Sequence, residues 1–140
     1  MPAKIKINFL SSDLDGQTMG LTVLANNETI FKQDKDLSKT FTVEFDINVP
    51  GNIKFIVNGK GPFDTKVDEQ GNILQDKFLK VSSMLIDRMP VPTWALESKF
   101  ILFSHDQQIT YTNYFGYNGQ GTIQLPSSTF LMFLELHTAG

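Results

Sequence analysis

Apolar and polar residues alternate along residues 41–49, and this alternation restricts the fold more than any other feature of the sequence. Successive side chains of a β-strand point to opposite faces of its sheet, so the pattern predicts a strand with one buried and one solvated face. The apolar positions of this strand are Phe41, Val43, Phe45, Ile47 and Val49. After a turn at Pro50, Gly51 and Asn52 the alternation resumes over 53–57, which is typical of a β-hairpin.

Similar segments elsewhere, each bounded by turn residues, give nine or ten strands. They lie at 3–10, 20–25, 28–33, 63–68, 72–86 in one or two pieces, 98–103, 108–114, 120–125 and 129–137. Many short strands with a turn every ~8 to 12 residues are typical of sandwiches and barrels, and the even segment lengths favour a double sheet. We therefore predict an all-β chain, a single-domain antiparallel β-sandwich over residues 1–140 that is jelly-roll-like.

The alternation also predicts which side chains face the core. These are Phe41, Val43, Phe45, Ile53, Phe55, Val57, Phe130, Met132 and Leu134. The one helical signal is at 92–98, where Thr93 could cap a short helical turn that ends near Ser98, or where the chain forms a loop.

Composition excludes several classes of function. The chain has no cysteine, so it has no disulfide or thiolate zinc site, and it suits a reducing compartment. Lysine and arginine together number 12 against 15 acidic residues, which is too few for a surface that follows nucleic-acid phosphates. Residues 1–10 alternate like a strand instead of resembling a signal peptide, and no run reaches the ~18 apolar residues of a membrane helix. We therefore expect neither nucleic-acid binding nor membrane insertion.

The stretch 63–77 carries regularly spaced acidic and amide side chains around Gly71. It lacks the frame of an EF-hand loop, and its β-branched residues disfavour a helix. A hairpin with Gly71 in the left-handed conformation is the plainest interpretation. The alternative is a calcium site at Asp64 and Asp76, completed by backbone carbonyls of residues 58–61, although Lys66 and Lys77 would oppose it as surface partners of these carboxylates.

The stretch 109–125 contains all three tyrosines among amides and glycines. Three interpretations stay open: a hairpin joined at Asn118 and Gly119 with Tyr111 and Phe115 in the core, a protein interface, and a glycan site. For the last two, the contact residues would be Asn113, Tyr114, Tyr117 and Asn118.

Trp94 follows two prolines in a segment that resists regular strand pairing. It is either a contact residue for a ligand or partner, or a plug at the end of the core.

Catalytic motifs are absent from the sequence. His105 and His137 are the only histidines, which excludes a three-histidine metal site and an HExxH pair. There is no GxSxG elbow, Walker loop or dinucleotide fingerprint. We therefore predict that the chain is not an enzyme.

Two groups of residues carry a resemblance to known families. They are Phe63, Asp64, Lys66, Asp68, Gly71, Asn72 and Asp76, followed by Asn113, Tyr114, Gly116, Asn118 and Gly119. With these, residues from about 20 to 134 resemble small jelly-roll proteins carried by tailed bacteriophages, especially those of marine cyanobacteria. The chain is also similar to calcium-dependent carbohydrate-binding modules.

The resemblance implies a virion accessory protein that decorates a capsid or tail. Its partners would be other virion proteins and host cell-surface polysaccharide, and it would be assembled in the bacterial cytoplasm. The alternative is a free-standing carbohydrate-binding, lectin-like module, for which calcium is the implied cofactor.

Overall fold

The computed structural model describes residues 2–12, 17–60, 65–67, 69–71 and 73–139, without the side chains of 65–67, 73–76 and 137–139. The strands are β1 (Pro2–Ser11), β2 (Gly20–Ala25), β3 (Glu28–Gln33), β4 (Thr40–Asn48), β5 (Gly51–Asn58), β6 (Thr65–Val67), β7 (Ile73–Asp76), β8 (Leu79–Ile86), β9 (Met89–Pro90), β10 (Leu102–His105), β11 (Gln108–Tyr111), β12 (Tyr114–Phe115) and β13 (Gly119–Leu125). The helices are α1 (Thr93–Ser98) and α2 (Thr129–Ala139).

Two antiparallel sheets form a β-sandwich. The first sheet has the order β12-β8-β1-β4 with β9 beside β8, and the second has the order β11-β10-β13-β5-β2-β3. The strands β6 and β7 pair only with each other, as a small ribbon. The predicted all-β, jelly-roll-like antiparallel sandwich is therefore confirmed.

The core lies between the inner faces of the two sheets and follows the alternation seen in the sequence. In β4, Val43 and Ile47 are buried while Phe41 and Phe45 are partly buried against the same cluster. In β5, the core side chains are Ile53, Phe55 and Val57, all buried. These seven side chains face inward as predicted.

The predicted hairpin between β4 and β5 is wrong. The strand β4 pairs with β1 in the first sheet, whereas β5 pairs with β2 and β13 in the second. The turn at Pro50 therefore carries the chain from one sheet to the other. Both strands bury one alternating face, and facing each other across the core satisfies that pattern as well as pairing side by side would.

The predicted strand at 129–137 is also wrong, because these residues lie in α2. Phe133 and Leu136 are buried on one face, whereas Phe130 and Leu134 are 66% and 52% exposed. The Ser128 hydroxyl accepts a hydrogen bond from the Leu131 amide at 3.2 Å, which is the geometry of a helix N-cap. Of the three core residues predicted here, Met132 is partly buried and packs on the core, and the other two face solvent.

The segment after β9 is helical, which was one of its two predicted states. Pro92 occupies the N-cap of α1, and Thr93 is the first helical residue without a side-chain capping bond. The strand predicted at 98–103 begins instead at Leu102. Within the described part of the chain, neither helix is long and apolar enough to cross a membrane.

Candidate functional site

The two stretches singled out in the sequence meet at one end of the sandwich. Asn118 lies in the segment that leads into β13, and Lys60 follows β5. The Asn118 Oδ1 accepts a hydrogen bond from the Lys60 amide at 2.8 Å, and its Nδ2 donates to the Lys60 carbonyl at 2.9 Å. The chain that leads into the β6–β7 ribbon is thereby fixed next to the tyrosine-rich segment. We call the surface formed by Lys60, Phe78, Tyr114, Tyr117 and Asn118 the tyrosine end.

Two lysines cross between the chain segments before and after the ribbon. The Lys60 ammonium donates to the Lys77 carbonyl at 2.7 Å, and the Lys77 ammonium donates to the Gly59 carbonyl at 2.6 Å. Lys77 is only 4% exposed, so it is a buried side chain and not the surface one expected. Its aliphatic stem is packed inside while its charge is held by backbone oxygen, which is how a buried ammonium is accommodated.

Tyr114 is one of the two exposed tyrosines at this end. Its ring stacks on that of Phe78 with centroids 4.7 Å apart, and its side chain is 39% exposed. The β12 backbone pairs Tyr114 with Lys80 of β8, and the Tyr114 amide donates to the Thr112 hydroxyl at 3.0 Å. Both the backbone and the ring of Tyr114 are therefore held in place.

Tyr117 is the second exposed tyrosine and is 56% exposed. Its ring lies on the His105 imidazole with centroids 4.1 Å apart and planes inclined by 8°. His105 in turn contacts Phe103 at 5.7 Å, and Phe103 stacks on Phe115 at 4.8 Å. Tyr117 is thus the outermost ring of a series that begins in the core, so its ring is supported from beneath and not free to rotate away.

Asn113 has a structural role. It is 6% exposed, its Nδ2 donates to the Val81 carbonyl at 2.9 Å, and its own carbonyl accepts from the Val81 amide at 2.9 Å. These bonds hold the turn between β11 and β12 against β8. Asn113 was predicted as a contact residue, but burial leaves its side chain little surface to offer a ligand.

The hairpin proposed at Asn118 and Gly119 is absent. The strand β12 belongs to the first sheet and β13 to the second, so residues 116–118 cross between sheets. Gly119 is required at this crossing because a Cβ there would collide with the Ser104 carbonyl and lie 2.9 Å from the Phe103 ring. Phe115 is in the core as expected, but Tyr111 is 50% exposed on β11.

The hairpin interpretation of 63–77 is confirmed in the described backbone. The strands β6 and β7 pair antiparallel with Thr65 opposite Asp76, and Gly71 has φ of +84°. Asp64 and the side chain of Asp76, the two predicted metal ligands, lie outside the described residues.

The described oxygens near these positions do not suit calcium. The Gly59 carbonyl accepts from the Lys77 ammonium, and the Lys60 carbonyl accepts from Asn118. A positive charge 2.6 Å from one of the expected carbonyl ligands opposes a second cation there. Among the residues with described side chains, there is no group of three or more acidic or histidine side chains that could hold a metal ion.

Trp94 lies apart from the tyrosine end. It is on α1, 38% exposed, and the Lys99 ammonium is 5.8 Å from its ring centroid. The chain reaches α1 from β9, where the Val91 amide donates to the Met84 carbonyl. Met84 is four residues along β8 from Lys80, the partner of Tyr114, and this corresponds to about 13 Å. Trp94 is therefore exposed, as a contact residue would be, but not near the tyrosines.

Tyr114, Tyr117 and Asn118 stay predicted contact residues, and the sequence pattern did not reveal the groups that position them. His105 and Phe78 stack behind the two tyrosines, and Lys60 receives the Asn118 bonds. In the sequence, His105 drew notice only as a potential metal ligand. His105 and Tyr117 are 12 residues apart in the chain, with β11 between them. This proximity could have suggested a contact, but only to a reader who already knew how the strands pair.

The sandwich is similar to a solved carbohydrate-binding module. The module vCBM60, described within a circular-permutation link between two families of calcium-dependent carbohydrate-binding modules, matches with a TM-score of 0.52 at 9% identity over 87% of this chain and 90% of the module. The structure of vCBM60 in complex with galactobiose gives a TM-score of 0.52 at 10% identity over 86% of this chain and 97% of that one. At such identities the likeness concerns the fold.

No protein-family model matches the chain, and no curated protein sequence matches it. The two solved structures bear on the fold alone, and they give no support to the virion role or to virion proteins as partners.

Proposed function

We propose that the chain is a non-catalytic carbohydrate-binding module and that sugar binds at the tyrosine end. The observation that carries this proposal is the Tyr117 ring, which is 56% exposed while it stacks on His105 at 4.1 Å. An aromatic ring that is both exposed and held rigid provides binding area at low conformational cost.

The chemistry of the surface suits a sugar. A pyranose ring has an apolar face of C–H groups that packs on an aromatic ring, and hydroxyl groups around its edge that need polar partners. Tyr114 and Tyr117 supply two exposed rings, each with a phenolic hydroxyl. Asn118 follows Tyr117 directly, and its side-chain amide is joined to the Lys60 backbone by two hydrogen bonds.

The fold supports the proposal independently of the site. A module that binds galactobiose shares the sandwich over most of both chains. Fold similarity alone does not establish function, so the exposed tyrosines carry the argument and the shared fold agrees with them.

A binding role fits this end better than glycoside hydrolysis. A glycosidase needs two carboxyl groups placed on either side of the scissile bond. Among the five residues that define this end, the exposed side chains are two tyrosines and the Asn118 amide.

Calcium at Asp64 and Asp76 stays a prediction. The described carbonyls of residues 59 and 60 are engaged by an ammonium and an amide, so we do not assign calcium a part in sugar binding through them.

The test is a glycan-array profile of the purified chain in calcium and in chelator, followed by calorimetric titration of the best-binding oligosaccharide. Tyr117→Ala and Tyr114→Ala should each weaken binding by about tenfold, which corresponds to the ~1.4 kcal/mol expected from losing an aromatic contact. Ile30→Ala is the control, because Ile30 is 36% exposed on β3, which is four strands away from β10 in the second sheet. Wild-type affinity in both tyrosine variants would contradict the proposal.

A further inference from the structure

A groove of about 340 Å³ separates α2 from the outer face of the second sheet. Its sheet side is built from β10, β11 and β13, and its helix side from Met132, Glu135 and Leu136. This volume falls within the range of ~300 to 1,000 Å³ that is typical of small-molecule sites. The tyrosine end does not include any of these residues.

The sheet side of the groove has a defined arrangement of side chains. Tyr111 pairs with Leu102, and Leu102 pairs with Thr122, so the three form a row across β11, β10 and β13. Gln124 lies two residues beyond Thr122 and therefore on the same face. The groove thus has an aromatic ring at one side and a hydroxyl and an amide at the other, about 10 Å away across two strand spacings.

We propose that this groove is a second binding site and that its ligand is a short, uncharged saccharide. Tyr111 is 50% exposed and offers a ring to the C–H face of a sugar, with Leu102 and Met132 extending the apolar surface. Thr122 and Gln124 provide the hydroxyl and amide that sugar hydroxyl groups require.

The charges at the groove favour an uncharged ligand. Lys99 and Glu135 both line it, one positive and one negative, so neither sign of ligand charge gains a net attraction.

The position of Trp94 agrees with this site. Lys99 lines the groove, and its ammonium lies 5.8 Å from the Trp94 ring centroid. The exposed tryptophan predicted as a contact residue therefore stands beside the groove, although it stands apart from the tyrosine end. A saccharide that extends past Lys99 would meet its indole ring.

The two sites are separate in the fold. Tyr111 is on the outer face of β11 opposite Leu102, while Tyr117 stacks on His105, three residues further along β10. Three residues of a strand span about 10 Å. The groove proposal goes beyond the proposed function and stands whether or not the tyrosine end binds sugar.

The test is an NMR titration of the ¹⁵N-labelled full chain with galactobiose, cellobiose and mannobiose in turn. We expect at least one disaccharide to give saturable shifts at the amides of residues 111, 122 and 124. Tyr111→Ala and Gln124→Ala should each raise the dissociation constant obtained from these shifts by about tenfold, as expected from the loss of an aromatic or a hydrogen-bonding contact. Tyr117→Ala should leave them unchanged.

Each outcome of the titration either supports or overturns the groove proposal. Saturable shifts at the groove that both variants weaken support the site, and shifts confined to residues 114–118 overturn it while supporting the tyrosine end. Groove shifts without any at 114–118 support the groove and contradict the tyrosine end for those sugars. Groove shifts that neither variant weakens, or no shifts with any of the three disaccharides, overturn the groove proposal. Gln124 is exposed, so Gln124→Ala should fold normally. It therefore tests the groove even if Tyr111→Ala does not fold.

Discussion

The side-chain amide of Asn118 binds both backbone groups of Lys60, with one hydrogen bond of 2.8 Å and another of 2.9 Å. It thereby joins the crossing between the sheets to the segment that leaves β5. We expect Asn118→Ala to lower the free energy of unfolding by about 1 to 3 kcal/mol, because both bonds are lost at once.

Urea denaturation measures this change, with Gln124→Ala as an exposed amide control. Asn118→Asp keeps the acceptor and loses the donor, so it should fall between the alanine variant and wild type. Equal stability of Asn118→Ala and wild type would show that the two bonds do not hold the crossing.

His105 supports Tyr117, and we expect the ring to matter more than the charge. His105→Phe keeps a flat ring under Tyr117, whereas His105→Ala removes it. In the described residues the His105 Nδ1 is buried without a hydrogen-bond partner, so phenylalanine also removes an unsatisfied polar atom. Sugar affinity should therefore fall about tenfold in His105→Ala and stay near wild type in His105→Phe.

Calorimetric titration of both variants with the sugar that binds best on the array checks this prediction. Matching thermal unfolding scans separate a loss of support from a loss of fold. If both variants lose affinity equally, His105 acts through something other than its ring.

The turn between β10 and β11 has two residues at positive φ, with Asp106 at 44° and Gln107 at 65°. Such two-residue turns favour glycine at the second position, since a side chain is disfavoured there. Gln107→Gly should raise the free energy of unfolding by about 0.5 to 1 kcal/mol, and Gln107→Ala should not. A rise in melting temperature with glycine alone is the expected result, and a fall with glycine would contradict the turn assignment.

Two phenylalanines of α2 distinguish the helix from the strand that alternation predicts. Phe133 is 3% exposed, so Phe133→Ala should cost about 3 to 5 kcal/mol. Phe130 is 66% exposed, so Phe130→Ala should change stability by less than about 0.5 kcal/mol. Chemical denaturation of the two variants gives both values. A larger loss for Phe130 than for Phe133 would favour the strand.

The alternation of apolar and polar residues predicted most strands, because each strand buries every second side chain whatever its neighbours are. It did not predict which strands pair. The Pro50 turn was assigned to a hairpin because turn chemistry shows that the chain reverses and does not show which sheet it enters next. The helix at 129–139 was missed because a run of large apolar residues fits either period over a short length, and the Ser128 cap was the signal that decides.

The candidate site was predicted to a similar extent. Clustering of tyrosines and amides pointed to Tyr114, Tyr117 and Asn118, which are exposed and close in the chain, and their role in binding stays a prediction. Their supporting partners, Phe78 and His105, come from other strands and leave no local pattern. Asn113 was wrongly grouped with the exposed residues, because composition does not distinguish an amide that binds a ligand from one that binds backbone.

The rings that run from the core to Tyr117 connect the proposed sugar-binding surface to the packing of the core. Phe55, Phe115, Phe103, His105 and Tyr117 contact one another in sequence, with centroid separations of 6.1, 4.8, 5.7 and 4.1 Å. A change in size at any inner ring is transmitted outward, since close-packed interiors do not absorb it locally. Variation in the hydrophobic interior of this protein should therefore alter what its surface binds, and an engineer who wishes to change specificity can begin with Phe103 as well as with the exposed tyrosine.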